Sequence, residues 1–233
     1  MKIQLPLGLS LDIKKDNPIQ KTKITSDYNK VFVIGLGKTG TTSLKSLLGN
    51  FDFTVGNQAV AEILAEDYAI HNRTDRLVKY VDTAEAFQDT PFFYTGMFEI
   101  LDREFPDSKF ILSQRNNADQ WYESMLKYHT KKFSSDKERL PNEHDLKNCS
   151  YRHKGWLLET MRFEWDYPNV PLYDEYYYKT KYDKHIENVN SYFSKRKEQL
   201  VNINVAHEPD FKKLCKFLNV ETNIKGFSWE NRT

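Results

Sequence analysis

The 233-residue chain has only two cysteines, Cys149 and Cys215, far apart and in no CxxC pair. That excludes a disulfide framework and a zinc knuckle, and reduced thiols follow. Charge of one sign is also missing. Lys and Arg number 34 against 33 Asp and Glu, a formal net charge of +1, so a nucleic-acid partner or an acidic membrane surface is not expected. No apolar run approaches the roughly 20 residues of a membrane helix. The stretch from Leu5 to Leu11 is interrupted by Pro6, Gly8 and Ser10 and holds no secretory core. The expectation is a cytoplasmic protein with no membrane contact. The six histidines form no H-E-x-x-H and no i,i+4 pair, so no metal site is expected.

Large rings are abundant. With 14 Tyr and 15 Phe, a chain of mean hydropathy -0.72 can still bury a core. Its length suits one large α/β domain, expected over 31–233 behind an irregular leader, 1–30, where Pro6 and Pro18 oppose regular structure.

The most informative stretch runs from Val31 to Leu44. Val31 to Ile34 is an apolar, β-rich run that reads as a buried strand. Gly35 and Gly37 permit a tight exit, Gly40 lets backbone approach a ligand closely, and a helix begins at Thr41. Unpaired amides then converge at a helix N-terminus and favour a phosphate or sulfate group. A Walker A loop carries its lysine directly after the second glycine. Here Gly35 and Gly40 have the Walker spacing, but position 41 is Thr and the lysine is Lys38. A Gly-rich turn without a ligand is the plain structural alternative.

The order Gly-x-x-Lys-Thr-Gly-Thr-Thr-Ser, ending at Ser43, resembles the 5′-phosphosulfate loop of sulfotransferases that use 3′-phosphoadenosine 5′-phosphosulfate (PAPS). The resemblance implies that Gly37, Lys38, Thr39, Gly40, Thr41, Thr42 and Ser43 hold the phosphosulfate, with Lys38 beside the bridging oxygen. A second element is similar: the strand Lys109 to Gln114 ends at Arg115, and a helix from Ala118 carries Ser124. In the family such an Arg and Ser contact the 3′-phosphate, the Ser usually eight residues after the Arg. Here position eight is Glu123 and Ser124 is the ninth. Asp89, two residues before Pro91, stands where the cytosolic branch of the family has its catalytic histidine. It is the candidate general base, or simply an Asp fixing a turn before proline. The amphipathic stretch from Pro209 to Asn219 resembles the family's C-terminal helix, and Trp229, Asn231 and Arg232 follow to close the fold.

The implied activity is metal-free, in-line transfer of a sulfuryl group from PAPS to a hydroxyl or amine of a small-molecule or carbohydrate acceptor, leaving 3′-phosphoadenosine 5′-phosphate (PAP). The alternatives are an ATP-dependent P-loop small-molecule kinase and an inactive nucleotide-binding protein. The expected fold is a P-loop-like three-layer αβα sandwich around a parallel sheet of about five strands, with candidates at 31–35, 52–55, 92–94, 109–114 and 200–205. Helices are expected at 59–70, 76–87 and 156–165. Arg73 and Arg76 either reach an anionic ligand or are solvated. The polar segment 134–150 reads as a long loop, either an acceptor lid or a surface insertion. Acceptor specificity is expected from 56–90, 134–150 and 168–185.

Overall fold

A computed structural model describes residues 2–4, 10–12 and 28–228. Trp229, Asn231 and Arg232 lie outside them. Within the expected irregular leader, β1 (Lys2–Gln4) and β2 (Ser10–Asp12) form an antiparallel pair. The main sheet contains β3 (Val31–Val33), β4 (Ala86–Gln88), β5 (Lys109–Ser113) and β6 (Leu200–Ile203). Its order is β4-β3-β5-β6 and every pairing is parallel.

Both faces of this sheet are covered, which is why its strands are nearly continuous apolar runs. Side chains alternate between two cores. Val31, Val33, Ile111, Val201 and Ile203 pack with Leu44, Leu47 and Leu48 of α1 (Thr41–Asn50) and Phe211 and Leu214 of α9 (Glu208–Phe217). Phe32, Ile34, Phe110 and Leu112 face the larger core. That core is built by α2 (Gln58–His71), α3 (Asp75–Val81), α4 (Met97–Glu104), α5 (Ala118–Phe133), α6 (Glu143–Asn148), α7 (Trp156–Trp165) and α8 (Glu175–Tyr192). The result is the expected three-layer sandwich. Phe32 lies across from Phe87 and Phe110 in the strand register, with ring centroids 5.9 and 5.5 Å apart. These aligned rings supply the apolar area that a polar chain otherwise lacks.

Among the described residues the main sheet has four strands rather than about five. Residues 52–55 contribute only an isolated bridge from Val55 to Ala86. Phe92, Phe93 and Tyr94 form no strand. They are buried in a turn that follows a cis Thr90–Pro91 peptide, so their aromatic run reflects core filling rather than sheet pairing. The expected helix over 76–87 ends at Val81, and its last residues belong to β4. Sheet pairing beside β3 overrides local pattern there. The segment 134–150 is not structureless either. It contains α6, started by a capping box between Asn142 and Asp145 and anchored by a fully buried Leu146.

Where β3 passes β5, Gly35 is required by close approach. A Cβ at that position would lie 2.1 Å from the Ser113 carbonyl oxygen and 2.2 Å from its Oγ. Gly35→Ala is expected to destabilise the fold by about 1–3 kcal/mol through overpacking. Urea unfolding checks this by a lower midpoint at unchanged slope.

Candidate active site

Four strand ends deliver the site. In an open parallel sheet ligands bind beyond the carboxyl ends of the strands, and here β3 leads into the glycine loop, β4 into Asp89, β5 into Arg115 and β6 into Val205. Gly40 has φ 103°, and a Cβ there would meet Val205 Cγ2 at 2.5 Å. Lys38 also adopts a positive φ of 72°, a conformation that a non-glycine residue keeps only where its surroundings impose it.

Those surroundings grip the loop by its carbonyls. His185 Nε2 bonds to the Ile34 oxygen (2.7 Å), Thr39 Oγ1 donates to Leu36 (2.7 Å), Trp121 Nε1 to Gly37 (2.9 Å) and Arg115 Nε to Lys38 (2.8 Å). Arg115 is itself held, because its amide donates to Tyr182 Oη at 2.9 Å and Tyr182 stacks on Trp121 at 4.8 Å. The helix that follows begins at Gly40 with no side-chain cap and no acidic residue in its first turn. Its first intrahelical bond runs from the Leu44 amide to the Gly40 oxygen (3.0 Å). The amides of Thr41 to Ser43 precede that bond, and the positive end of the helix dipole is left uncompensated by a carboxylate within the helix. Lys38 and Arg115 stand beside it. This arrangement fits an anionic group such as a phosphosulfate.

Asp89 approaches from the neighbouring strand. Its Oδ2 accepts from Thr41 Oγ1 (2.9 Å) and its Oδ1 from the Thr90 amide (3.0 Å). Burial raises its pKa, against the opposing pull of those two bonds and of Lys38. Lys38 shifts the other way: burial and then the charge of Arg115 lower its pKa, while Asp89 raises it.

Gly37, Lys38, Gly40, Thr41, Thr42, Asp89 and Arg115 all line one cavity of about 250 Å³. Thr39, Ser43 and Ser124 are buried and lie outside that lining, and the Thr39 hydroxyl is engaged with Leu36 and with Ser113 Oγ at 2.6 Å. Arg73 and Arg76 do not reach the cavity. Both pair with Asp67. No residue from 134–150 or 168–185 lines it either. The walls come instead from α5, through Trp121, Met125, Tyr128 and His129, and from α7 together with Tyr151 before it, which adds Trp156 and Thr160.

Two charged features of these walls went unread in the sequence. Glu62 on α2 is 3% exposed, accepts from Gln58 Nε2 at 2.8 Å and is paired with Arg152. Burial first, then Asp89, push its carboxyl up to about 7 despite Arg152. The second is a contact of the loop lysine, whose ammonium lies 3.9 Å from the Tyr128 ring centroid. His129 bonds through Nδ1 with Tyr173 Oη at 3.1 Å, and burial followed by the Lys38 charge lowers its pKa to about 3. It is therefore neutral at physiological pH. One sequence signal was available for Glu62: a carboxylate among Val60, Ala61, Leu64 and Ala65, on the buried face of an apolar helix.

A family model described as a sulfotransferase domain matches residues 30–233. The chain belongs to the sulfotransferase family. No curated protein matches it. Its chemistry is sulfuryl transfer from a sulfate-donor co-substrate, and the loop, the strand-end arginine and the cavity are the parts of this sulfotransferase that face one another. Among the described residues no helix is long and apolar enough to cross a membrane, and no group of three or more metal-binding side chains occurs.

The elevated Glu62 pKa has a stability consequence. The folded state keeps this proton at pH values where the unfolded chain releases it. Protonation thus favours folding fully below the ordinary value of 4.5, and the contribution disappears as pH rises through about 7. Between pH 5 and 8 the sulfotransferase is expected to lose more Tm than its Glu62→Gln variant. Parallel Tm profiles would show that Glu62 does not titrate in this window.

Proposed function

We propose that this sulfotransferase uses PAPS as its donor and transfers the sulfuryl group directly to a hydroxyl or amine of a small-molecule or carbohydrate acceptor. The observation that supports this most is the convergence of Lys38, Arg115 and the uncapped start of α1 on one cavity, with the Asp89 carboxylate held beside them by Thr41. The donor supplies an activated sulfate joined to a good phosphate leaving group. The protein supplies position and charge, as in phosphoryl transfer through a loose transition state.

The loop residues Gly37, Gly40, Thr41, Thr42 and Ser43 hold the phosphosulfate through amide and hydroxyl donors, while Thr39, whose hydroxyl and amide both donate to the Leu36 oxygen, shapes the loop. Arg115 and Ser124 receive the 3′-phosphate. Nε of Arg115 is committed to the Lys38 carbonyl, and its other donors serve the ligand. Asp89 takes the proton of the attacking acceptor hydroxyl as the new O–S bond forms. The S–O bond to the bridging oxygen breaks, its electron pair leaves with PAP, and Lys38 offsets the charge that gathers there. Burial favours the neutral form of Asp89, which brings its basicity closer to what proton abstraction at neutral pH requires.

One contact favours testing a second reading. The hydrogen bond from Thr41 to Asp89 joins a loop hydroxyl to a strand-end carboxylate, a pairing that could hold a nucleotide-bound magnesium ion in a kinase. Calorimetric titration with PAP, and with ATP and Mg²⁺ as comparison, separates the two. PAP is expected to bind more tightly than ATP, and Arg115→Ala to weaken it at least tenfold, the scale of one charged hydrogen bond. A preference for ATP with magnesium would overturn the PAPS assignment. In turnover assays Lys38→Ala is expected to lower kcat by at least about a hundredfold, and Asp89→Asn by roughly a hundredfold to ten-thousandfold. Wild-type rates would remove either residue from the mechanism.

A further inference from the structure

Lys38 is half-buried, and a charge taken partly out of water needs a partner. Burial and the charge of Arg115 oppose its protonated form, while Asp89 favours it through space. Among the described residues Asp89 nevertheless forms no ion pair with Lys38. Its two oxygens accept from Thr41 and the Thr90 amide. What touches the ammonium is a ring. Nζ lies 3.9 Å from the centre of Tyr128, within the reach of a cation–π contact.

One helix both places that ring and grips the loop. Trp121 and Tyr128 stand seven residues apart on α5, which returns them to the same helix face. Trp121 Nε1 donates to the Gly37 oxygen at 2.9 Å, and two turns later Tyr128 meets the side chain of the very next loop residue. Phe133 packs edge-on against the Tyr128 ring at 5.6 Å. The phenol stays neutral, because burial first, then Asp89 and Glu62, raise its pKa against the pull of Arg152. His129 beside it is neutral as well. The choice of a ring suits an anion site. A carboxylate in its place would pair with Lys38 and repel the donor, whereas the face of a neutral ring attracts the cation and leaves the anion unopposed.

We infer that Tyr128 is the positioning residue of Lys38, its ring face holding the ammonium where the phosphosulfate of the donor is proposed to bind. What Lys38 faces rests on the proposed function. How Lys38 is held rests on the contact with Tyr128. The electron-rich face of the ring, rather than its hydroxyl, is the part that acts.

The test changes the charge distribution of the ring and keeps its shape. Tyr128→Phe preserves the electron-rich face, and pentafluorophenylalanine at position 128 reverses it at nearly the same size. PAP is titrated calorimetrically into wild type and both variants from pH 7 up to 10.5, the ordinary lysine value. Protonated Lys38 favours the anion, so affinity falls as pH rises through the pKa of Lys38 in the free protein. Tyr128→Phe is expected to follow the wild type. The fluorinated variant is expected to match both near pH 7, to lose affinity at lower pH, and to end roughly twofold to thirtyfold weaker, the span of a cation–π contact. A role in packing alone would change affinity equally at every pH or not at all, and either result overturns the inference. So does a Tyr128→Phe variant that behaves like the fluorinated one, because the hydroxyl would then be the holding group. If the fluorinated variant does not fold, the Lys38 ε-protons of the wild type decide by NMR: an upfield position, as over a ring face, supports the contact, and an ordinary position overturns it. A wild type that binds no PAP at any pH would instead refute the donor assignment, and the ε-proton position would still report whether the ring holds Lys38.

Discussion

The site depends on how the loop after β3 is held by its carbonyl oxygens. In a trans peptide the carbonyl and the following amide point in opposite directions. Fixing the Gly37 oxygen on Trp121 therefore turns the Lys38 amide away from α5. The bonds to Ile34, Leu36 and Lys38 constrain neighbouring peptides in the same way. Three of these four restraints, from Trp121, His185 and Arg115, come from residues far away in sequence, so the loop geometry is a property of the assembled sandwich more than of its glycines. Glycine permits Gly40 its φ of 103°. Arg115, Trp121 and His185 are what select the shape, and the positive φ of Lys38 shows how firmly they do so.

A gradient of charge is built onto that frame. Burial lowers the pKa of Lys38 and raises that of Asp89, so each is driven toward its neutral form by the cost of desolvating charge. An anion at the loop changes the balance. It would stabilise the protonated form of Lys38, the group proposed to face the leaving oxygen, and by repulsion would make Asp89 more basic. Donor binding would thus prepare both groups together.

The glycine loop and the strand-end arginine of the candidate site were legible in the sequence, because they form short contiguous patterns. The spacing of Gly35, Lys38 and Gly40, the apolar run before them and the strand ending at Arg115 are local signals, and the structure puts them at adjacent strand ends. The errors have physical causes. β4 is only Ala86–Gln88, too short for an alternating pattern, and it is a strand because it pairs with β3. The Phe92 to Tyr94 run looks like a strand because aromatic residues favour both sheets and cores, and here the core claims them. The capping box of α6 was readable as Asn142 followed three residues later by Asp145, but the surrounding polar residues obscured it.

The acceptor side was much less legible. Trp121, Met125 and Tyr128 follow the same helical spacing as any buried stripe, and nothing in that spacing distinguishes a side chain that fills a core from one that bounds a cavity. Glu62 is the exception, since a carboxylate on a buried helix face requires an explanation that packing does not provide. The two halves of the site consequently rest on different parts of the fold. Strand ends, fixed by backbone pairing, carry the groups that the proposed chemistry needs placed within a fraction of an ångström. Helical side chains from α2, α5 and α7 bound the rest of the cavity, where the proposed acceptor would sit, and they can change size or charge without moving a strand. Selectivity can therefore change through α2, α5 and α7 while the loop after β3 keeps its shape.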